Sequence, residues 1–160
     1  MQRQVEKGKA TEAAIELVAR HAELGTFLPN VRFAECPIKA TLGVLGRKWS
    51  MLILRDIGLR RIDRFNRLLE SIPGLTPRVL SMRLRDLEEA GYIRCTENKE
   101  STIVVRWSLT EMGVDSLPIL MRFIAFGSKW HPEEVFDDKK PRTLEELFKP
   151  EALRLIEQFA

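Results

Sequence analysis

The sequence has few of the residues that build covalent or metal-based scaffolds. Its 160 residues include two cysteines and two histidines, at Cys36, Cys95, His21 and His131. Two cysteines make no disulfide framework, and this set predicts no structural metal. No apolar run approaches the ~18 residues of a membrane span, and the first twenty residues lack the apolar stretch of a signal peptide. We therefore expect a cytoplasmic protein without a membrane segment.

The sequence also lacks the patterns that carry catalysis. It has no glycine-rich phosphate loop, no nucleophile and base at a known spacing, and no cluster of metal ligands. These absences predict a protein that is not an enzyme and that holds no cofactor. The length predicts one ordinary domain with extensions.

The net charge of +3 conceals an uneven distribution. Residues 1–37 hold 5 Lys/Arg and 5 Asp/Glu, residues 38–110 hold 14 and 8, and residues 111–160 hold 7 and 10, so their net charges are 0, +6 and −3. A basic surplus confined to the middle segment favours a polyanionic partner, although a solvated basic face without a partner has the same composition.

The apolar periodicity predicts helices on the N-terminal side of this basic segment. Residues 11–24 have helical spacing and end before Gly25, which predicts a helix in an N-terminal extension over 1–35. Pro37 is suited to the first position of a second helix that ends near Gly46. A third helix, from about Trp49 to Leu59, is apolar on nearly every side and is expected at the centre of the core.

Two short helices separated by a tight turn follow. Residues 64–72 have an amphipathic spacing, and Pro73-Gly74 breaks it. Thr76 is a good N-cap and Pro77 a good first residue for a helix over about 77–90 that stops at Gly91. Two β-rich runs around a polar tip then predict a hairpin over about 92–108.

The remaining chain predicts one long helix and several short ones. Thr110 is expected to cap a helix over about 111–129 whose apolar positions exceed what one core contact needs, which suggests a partner helix. Beyond residue 131 the composition is acidic, and short helices are expected over 132–160. The predicted fold is mainly α with a small β-hairpin wing (α+β), a winged helix-turn-helix domain over 36–131.

The helix over 77–90 presents two different faces. At about 100° per residue, three leucines at 80, 84 and 87 point one way, and the opposite face carries Arg78, Ser81, Met82, Arg85 and Glu89. On the second helix after a tight turn, such side chains can reach base edges in the major groove of DNA. The alternative is that these arginines solvate an ordinary amphipathic helix, but the order of elements around them favours DNA binding.

Three further residues are candidates beside this face. Arg83 lies on its flank, where a phosphate contact and an intramolecular ion pair are about equally expected. Thr76 places the N–H groups and positive dipole end of the helix where they favour a phosphate. Lys99 at the hairpin tip is placed for a minor-groove or phosphate contact, although Glu97 and Glu100 flank it.

Several motifs in order resemble the HxlR-type regulators, relatives of the MarR winged-helix proteins, over roughly residues 36–131. They are Cys36-Pro37, Gly46-Arg47-Lys48-Trp49, Leu52-Ile53-Leu54-Arg55, Arg64-Phe65-Asn66, the run from Pro73 to Leu87, and Ser108-Leu109-Thr110-Glu111. The resemblance implies a homodimer, built by N- and C-terminal dimerisation helices, on a pseudo-palindromic operator in double-stranded DNA. We place Arg64 and Asn66 among the DNA-binding residues. The sequence departs from the family at Met82, where a polar residue is frequent, and in the wing, which lacks a Pro-Pro-Arg run.

Cys36 is the second candidate site. A cysteine at a helix N-cap lies where a thiolate is stabilised, and the resemblance implies that some relatives sense oxidants or electrophiles with a cysteine here. The alternative is a small capping residue packed at the dimer interface. Cys95 is expected to fill the core beside Ile93. For the protein as a whole, the alternative function is a winged-helix protein-interaction module that does not bind DNA.

Overall fold

The computed structural model describes residues 31–98 and 104–157. The chain divides into two compact units, residues 1–36 and 37–160. In the first unit, residues 31–36 form an irregular segment with bends. The helix expected over 11–24 and the hairpin tip with Lys99 lie outside the described residues.

The second unit is built from helices with one two-stranded antiparallel sheet. Before the sheet come α1 (Pro37–Leu45), α2 (Ser50–Gly58), α3 (Phe65–Ser71) and α4 (Pro77–Glu89). The sheet consists of β1 (Ile93–Asn98) and β2 (Val104–Leu109). After it come α5 (Glu111–Asp115), α6 (Leu117–Trp130), α7 (Pro132–Val135), α8 (Leu144–Leu147) and α9 (Pro150–Glu157). None of these helices combines the length and the apolar composition that crossing a bilayer requires.

One apolar core lies between the helices and the sheet. The helix predicted at its centre, α2, contributes Ile53, Leu54 and Ile57, and the first two are completely buried. The stripe of α4 contributes Leu80, Leu84 and Leu87 to the same buried cluster. Since burying one such side chain stabilises a fold by roughly 1.5–3 kcal/mol, this burial fixes α4 against the rest of the unit.

The turn between α3 and α4 adopts the conformation that its Pro-Gly sequence predicts. Gly74 has φ +82°, in the left-handed region where a Cβ is disfavoured. The Trp49 ring lies 3.5 Å from the position that a Cβ at Gly74 would occupy. At the start of α4, the Thr76 hydroxyl accepts from the Val79 N–H at 3.4 Å and Pro77 is the first helical residue. The predicted cap is confirmed.

The sheet is the predicted hairpin. Its register pairs Ile93 with Leu109 at the base, where Ile93 is buried, and Asn98 with Val104 toward the tip. Cys95, expected as core filler, is partly buried, and its N–H donates to the Glu88 carboxylate at 3.1 Å. The hairpin is therefore attached to the end of α4.

The prediction of one helix over 111–129 was wrong. Thr110 caps α5, accepting from the Gly113 N–H at 3.1 Å as expected, but the chain then divides into α5 and α6 at Ser116. Two features explain the break. The Ser116 hydroxyl donates to the Gly113 carbonyl at 2.6 Å, and Pro118, in the first turn of α6, has no N–H to continue a helix.

Candidate DNA-binding surface

The face of α4 that turns away from the core is exposed, as its periodicity predicts. Arg78, Ser81, Met82 and Arg85 are all exposed, and the Met82 side chain is 46% accessible. In the described part of the chain, neither Arg78 nor Arg85 has a carboxylate partner. Because their guanidinium groups are uncommitted, both can bind an external acceptor without first breaking an ion pair.

Arg83 has a different environment. Its Nε donates to the Lys48 carbonyl at 3.1 Å and its Nη1 contacts the Asp86 carboxylate at 2.5 Å. Of the two roles expected for Arg83, the structure therefore contains the intramolecular ion pair. The hydrogen bond from Arg83 Nε to the Lys48 carbonyl connects α4 to the loop between α1 and α2.

Arg47 joins the same network from that loop. Its Nη1 lies 2.8 Å from the Asp86 carboxylate. Hydrogen bonding from Arg47 is the largest influence on Asp86, and together with Arg83 it outweighs partial burial and lowers the carboxyl pKa. Sequence reasoning missed this network. In the sequence, the only signal was that two basic residues, Arg47 and Lys48, precede Trp49. In the structure, the Lys48 ammonium lies 4.7 Å from the centroid of the Trp49 ring.

Arg64 and Asn66 lie at the start of α3, the first helix of the helix-turn-helix pair. Arg64 is the N-cap residue, with extended backbone, and both side chains are exposed. Thr76, also exposed, uses its hydroxyl for the cap of α4. The structure thus brings the predicted residues at 64, 66, 76, 78, 81, 82 and 85 onto the two helices of one motif.

Cys36, the candidate thiol switch, is exposed. It directly precedes Pro37, the first residue of α1, as the sequence predicts. Within the described residues, no group of three or more His, Cys, Asp or Glu side chains is arranged to hold a metal ion.

Two helices joined by a tight turn, the second with an exposed polar face, and a hairpin after them define a winged helix-turn-helix protein. A family model described as HxlR-like helix-turn-helix matches residues 44–135. The chain belongs to this family, as its motifs predicted, and it is a transcriptional regulator of the helix-turn-helix class.

Individual relatives agree with this assignment. The uncharacterized HTH-type transcriptional regulator sll1512 of Synechocystis is 37% identical over 101 residues, which cover 62% of this chain and 73% of that protein. YdeP of Bacillus subtilis, with the same description, is 32% identical over 113 residues, which cover 69% of this chain and 86% of that protein. Among solved structures, the redox regulator HypR in its reduced form superposes with a TM-score of 0.55 at 29% identity, covering 62% of this chain and 96% of that one.

Proposed function

We propose that this protein binds double-stranded DNA sequence-specifically as a homodimer on a pseudo-palindromic operator. One observation carries the proposal: the exposed face of α4 holds Arg78 and Arg85 without carboxylate partners in the described chain. The second helix of a helix-turn-helix inserts in the major groove, where an arginine donates two hydrogen bonds to the O6 and N7 atoms of guanine.

The neighbouring residues have supporting roles in this proposal. Arg64, Asn66 and the N-terminus of α4 at Thr76 contact phosphates, which fix the register of the protein on the duplex. Ser81 donates to a base edge or a phosphate, and Met82 packs on a thymine methyl. Arg83 orients α4 rather than reading a base, because its guanidinium is held by Lys48 and Asp86.

A homodimer is supported by an exposed apolar surface on α1 and α6. Ile38 and Leu42 on α1, and Ile119 and Phe123 on α6, are between 40% and 69% accessible. Leu42, Ile119 and Phe123 line one shared cavity of about 270 Å³. Large exposed apolar patches mark interaction sites, and two copies joined here would present two α4 helices to successive major grooves about 34 Å apart.

The decisive experiment is fluorescence anisotropy with the DNA upstream of the protein's own gene and with a scrambled duplex, over a range of salt concentrations. Sequence-specific binding requires tighter binding to the upstream DNA and a steep fall in affinity with salt.

Arg85→Ala is expected to weaken operator binding by ~1–3 kcal/mol and to relax specificity at one base pair. Shallow salt dependence, or no preference for any DNA in a genomic library, would favour the protein-interaction module instead.

The proposal includes control through the Cys36 thiol. The thiol is exposed, and Cys36 directly precedes Pro37, the first residue of α1, in the sequence. HypR, to which the fold is similar, is a redox regulator. We expect a thiol-reactive electrophile such as diamide to change operator affinity in the wild type and to have no effect on Cys36→Ser. An equal response of both proteins would exclude Cys36 as the switch.

A further inference from the structure

A second basic surface lies beside the helix-turn-helix, on the loop that joins α2 to α3. The loop and the first turns of α3 enclose a cavity of about 540 Å³ that is open to solvent. Its lining includes three arginines, Arg61, Arg64 and Arg67, and two carboxylates, Asp63 and Glu70.

The two carboxylates of this cavity are already paired with arginines other than Arg61 and Arg64. Asp63 is bound by Nη1 of Arg106 on β2 at 2.5 Å, and Glu70 is 3.3 Å from Nη1 of Arg67. Arg61 and Arg64 have no such partner among residues 31–98 and 104–157. The cavity therefore presents two uncompensated positive charges, although its acidic and basic residues are nearly equal in number.

The backbone of this loop is fixed from two sides. The Ile62 N–H donates to the Asp56 carbonyl in α2 at 2.9 Å, and the Trp107 N–H in β2 donates to the Asp63 carbonyl at 2.8 Å. Next to these bonds, Arg61 has φ +58°, a left-handed conformation that is unfavourable for a residue with a Cβ. The backbone that carries the Arg61 side chain is thus already ordered. Binding a ligand there does not incur the entropic cost of ordering the loop.

We propose that Arg61 and Arg64 together hold a phosphodiester group of the DNA backbone, outside the major groove that α4 enters. The inference rests on the proposed function, since it requires the duplex to lie against α4. The first helix of a helix-turn-helix crosses the sugar-phosphate backbone, which brings the start of α3 and the loop before it to a strand. The planar guanidinium fork fits two phosphate oxygens.

The adjacent Arg60 differs from Arg61 and Arg64 because its guanidinium has a carboxylate partner within the protein. Its Nη1 lies 3.2 Å from the completely buried Asp56 carboxylate, so its guanidinium is already engaged within the protein. The phosphate site consequently uses Arg61 and Arg64 and excludes Arg60.

The test uses Arg61→Gly, because glycine adopts φ +58° without strain and the variant is expected to fold. Lys140→Ala is the matched control, as it removes one exposed positive charge from the segment between α7 and α8. Operator and scrambled duplexes are titrated by fluorescence anisotropy at several salt concentrations, and thermal unfolding is recorded for each variant without DNA.

For Arg61→Gly we expect the slope of log K against log[salt] to become shallower by about 0.9 for each phosphate that the variant no longer neutralises, or about 2 for two half-sites. Operator and scrambled DNA should be weakened by the same factor, because a phosphate contact carries no sequence information. The melting temperature should equal or exceed that of the wild type. Arg61→Lys should keep the wild-type slope, and Lys140→Ala should keep both slope and affinity.

Two results would overturn the phosphate site while leaving the proposed function intact. One is a wild-type slope in Arg61→Gly, with the wild type itself binding DNA in a salt-dependent manner. The other is a weakening confined to the operator, which would mean that Arg61 affects base recognition. If the wild type does not bind DNA at all, both proposals fail.

Discussion

At the scale of single residues, Asp56 is an unusual member of the core. Its side chain is 0% accessible within the central helix α2, where it accepts hydrogen bonds from Arg55 and Ser71 and pairs with Arg60. Burial alone would raise its carboxyl pKa. The hydrogen bonds from Arg55 and Ser71 and the charges of Arg55 and Arg60 together outweigh burial, so the pKa is lowered.

Asp56 therefore makes the free energy of unfolding depend on pH in the acidic range. Because the folded-state pKa is below the ordinary value of about 3.9, the stabilisation is complete above the unfolded-state pKa and is lost as pH falls through the folded-state pKa. We expect Asp56→Asn to lower the free energy of unfolding by about 1–3 kcal/mol at pH 7, and the difference from the wild type to shrink below about pH 4. Urea denaturation followed by circular dichroism from acid to neutral pH measures both effects.

Asp138→Asn provides the control for this prediction. Asp138 also has a lowered pKa, caused first by hydrogen bonding from Arg142, but it is at the surface, where solvent screens the pair. Its replacement should change stability less than Asp56→Asn at neutral pH. A pH-independent decrease in stability in Asp56→Asn would indicate that packing, not the carboxylate charge, explains its effect.

At the scale of elements, the orientation of α4 depends on more than its leucine stripe. Asp86 forms ion pairs with Arg83, in the preceding turn of the same helix, and with Arg47, in the loop between α1 and α2. Arg83 also donates to the Lys48 carbonyl in that loop. The carboxylate thus joins α4 to a neighbouring segment along the side that borders the proposed DNA-binding face.

We expect Asp86→Asn to lower the free energy of unfolding by about 1 kcal/mol, since it weakens two charge-assisted hydrogen bonds that are partly shielded from solvent. Glu89→Gln removes the same charge from an exposed position on the same helix and should change stability by less than about 0.5 kcal/mol. Urea denaturation of the two variants in the absence of DNA makes the comparison. Equal decreases would assign the effect to helix charge rather than to the network around Asp86.

The elements themselves could largely be predicted from the sequence, because their signals are local. Thr76 and Pro77 define the start of α4, and Gly74 the turn before it. The division between α5 and α6 was missed because the apolar spacing continues through it, although Pro118 was a local signal against one continuous helix.

The partners within the site could not be predicted in the same way. Arg83 and Lys48 are 35 residues apart, and Asp63 and Arg106 are 43 residues apart. Periodicity places a residue on a face of its helix but gives no information about which distant segment packs there. For this reason the sequence does not identify the Lys48 carbonyl as a partner of Arg83. It also does not identify Arg61, whose proposed role depends on the pairing of Asp63.

At the scale of the whole molecule, the proposed function depends on two copies acting together. Phe123 on α6 is 60% accessible and lines the same cavity as Leu42 on α1. Burying such side chains in a dimer removes apolar area from water, at about 25 cal/mol per Å². A charge at this position should therefore oppose association, because it would be desolvated without a partner.

We expect Phe123→Glu to be a folded monomer by sedimentation velocity at concentrations where the wild type is a dimer. Its operator affinity should fall by about 100-fold or more, since a monomer engages one half-site and does not gain the avidity of the second. Met112→Glu, which alters an exposed apolar side chain on α5, should keep the wild-type mass and affinity. If Phe123→Glu stays dimeric, the apolar surface of α1 and α6 is not the dimer interface; if it is monomeric but binds the operator as tightly as the wild type, each half-site is recognised independently and the two-fold arrangement is not required.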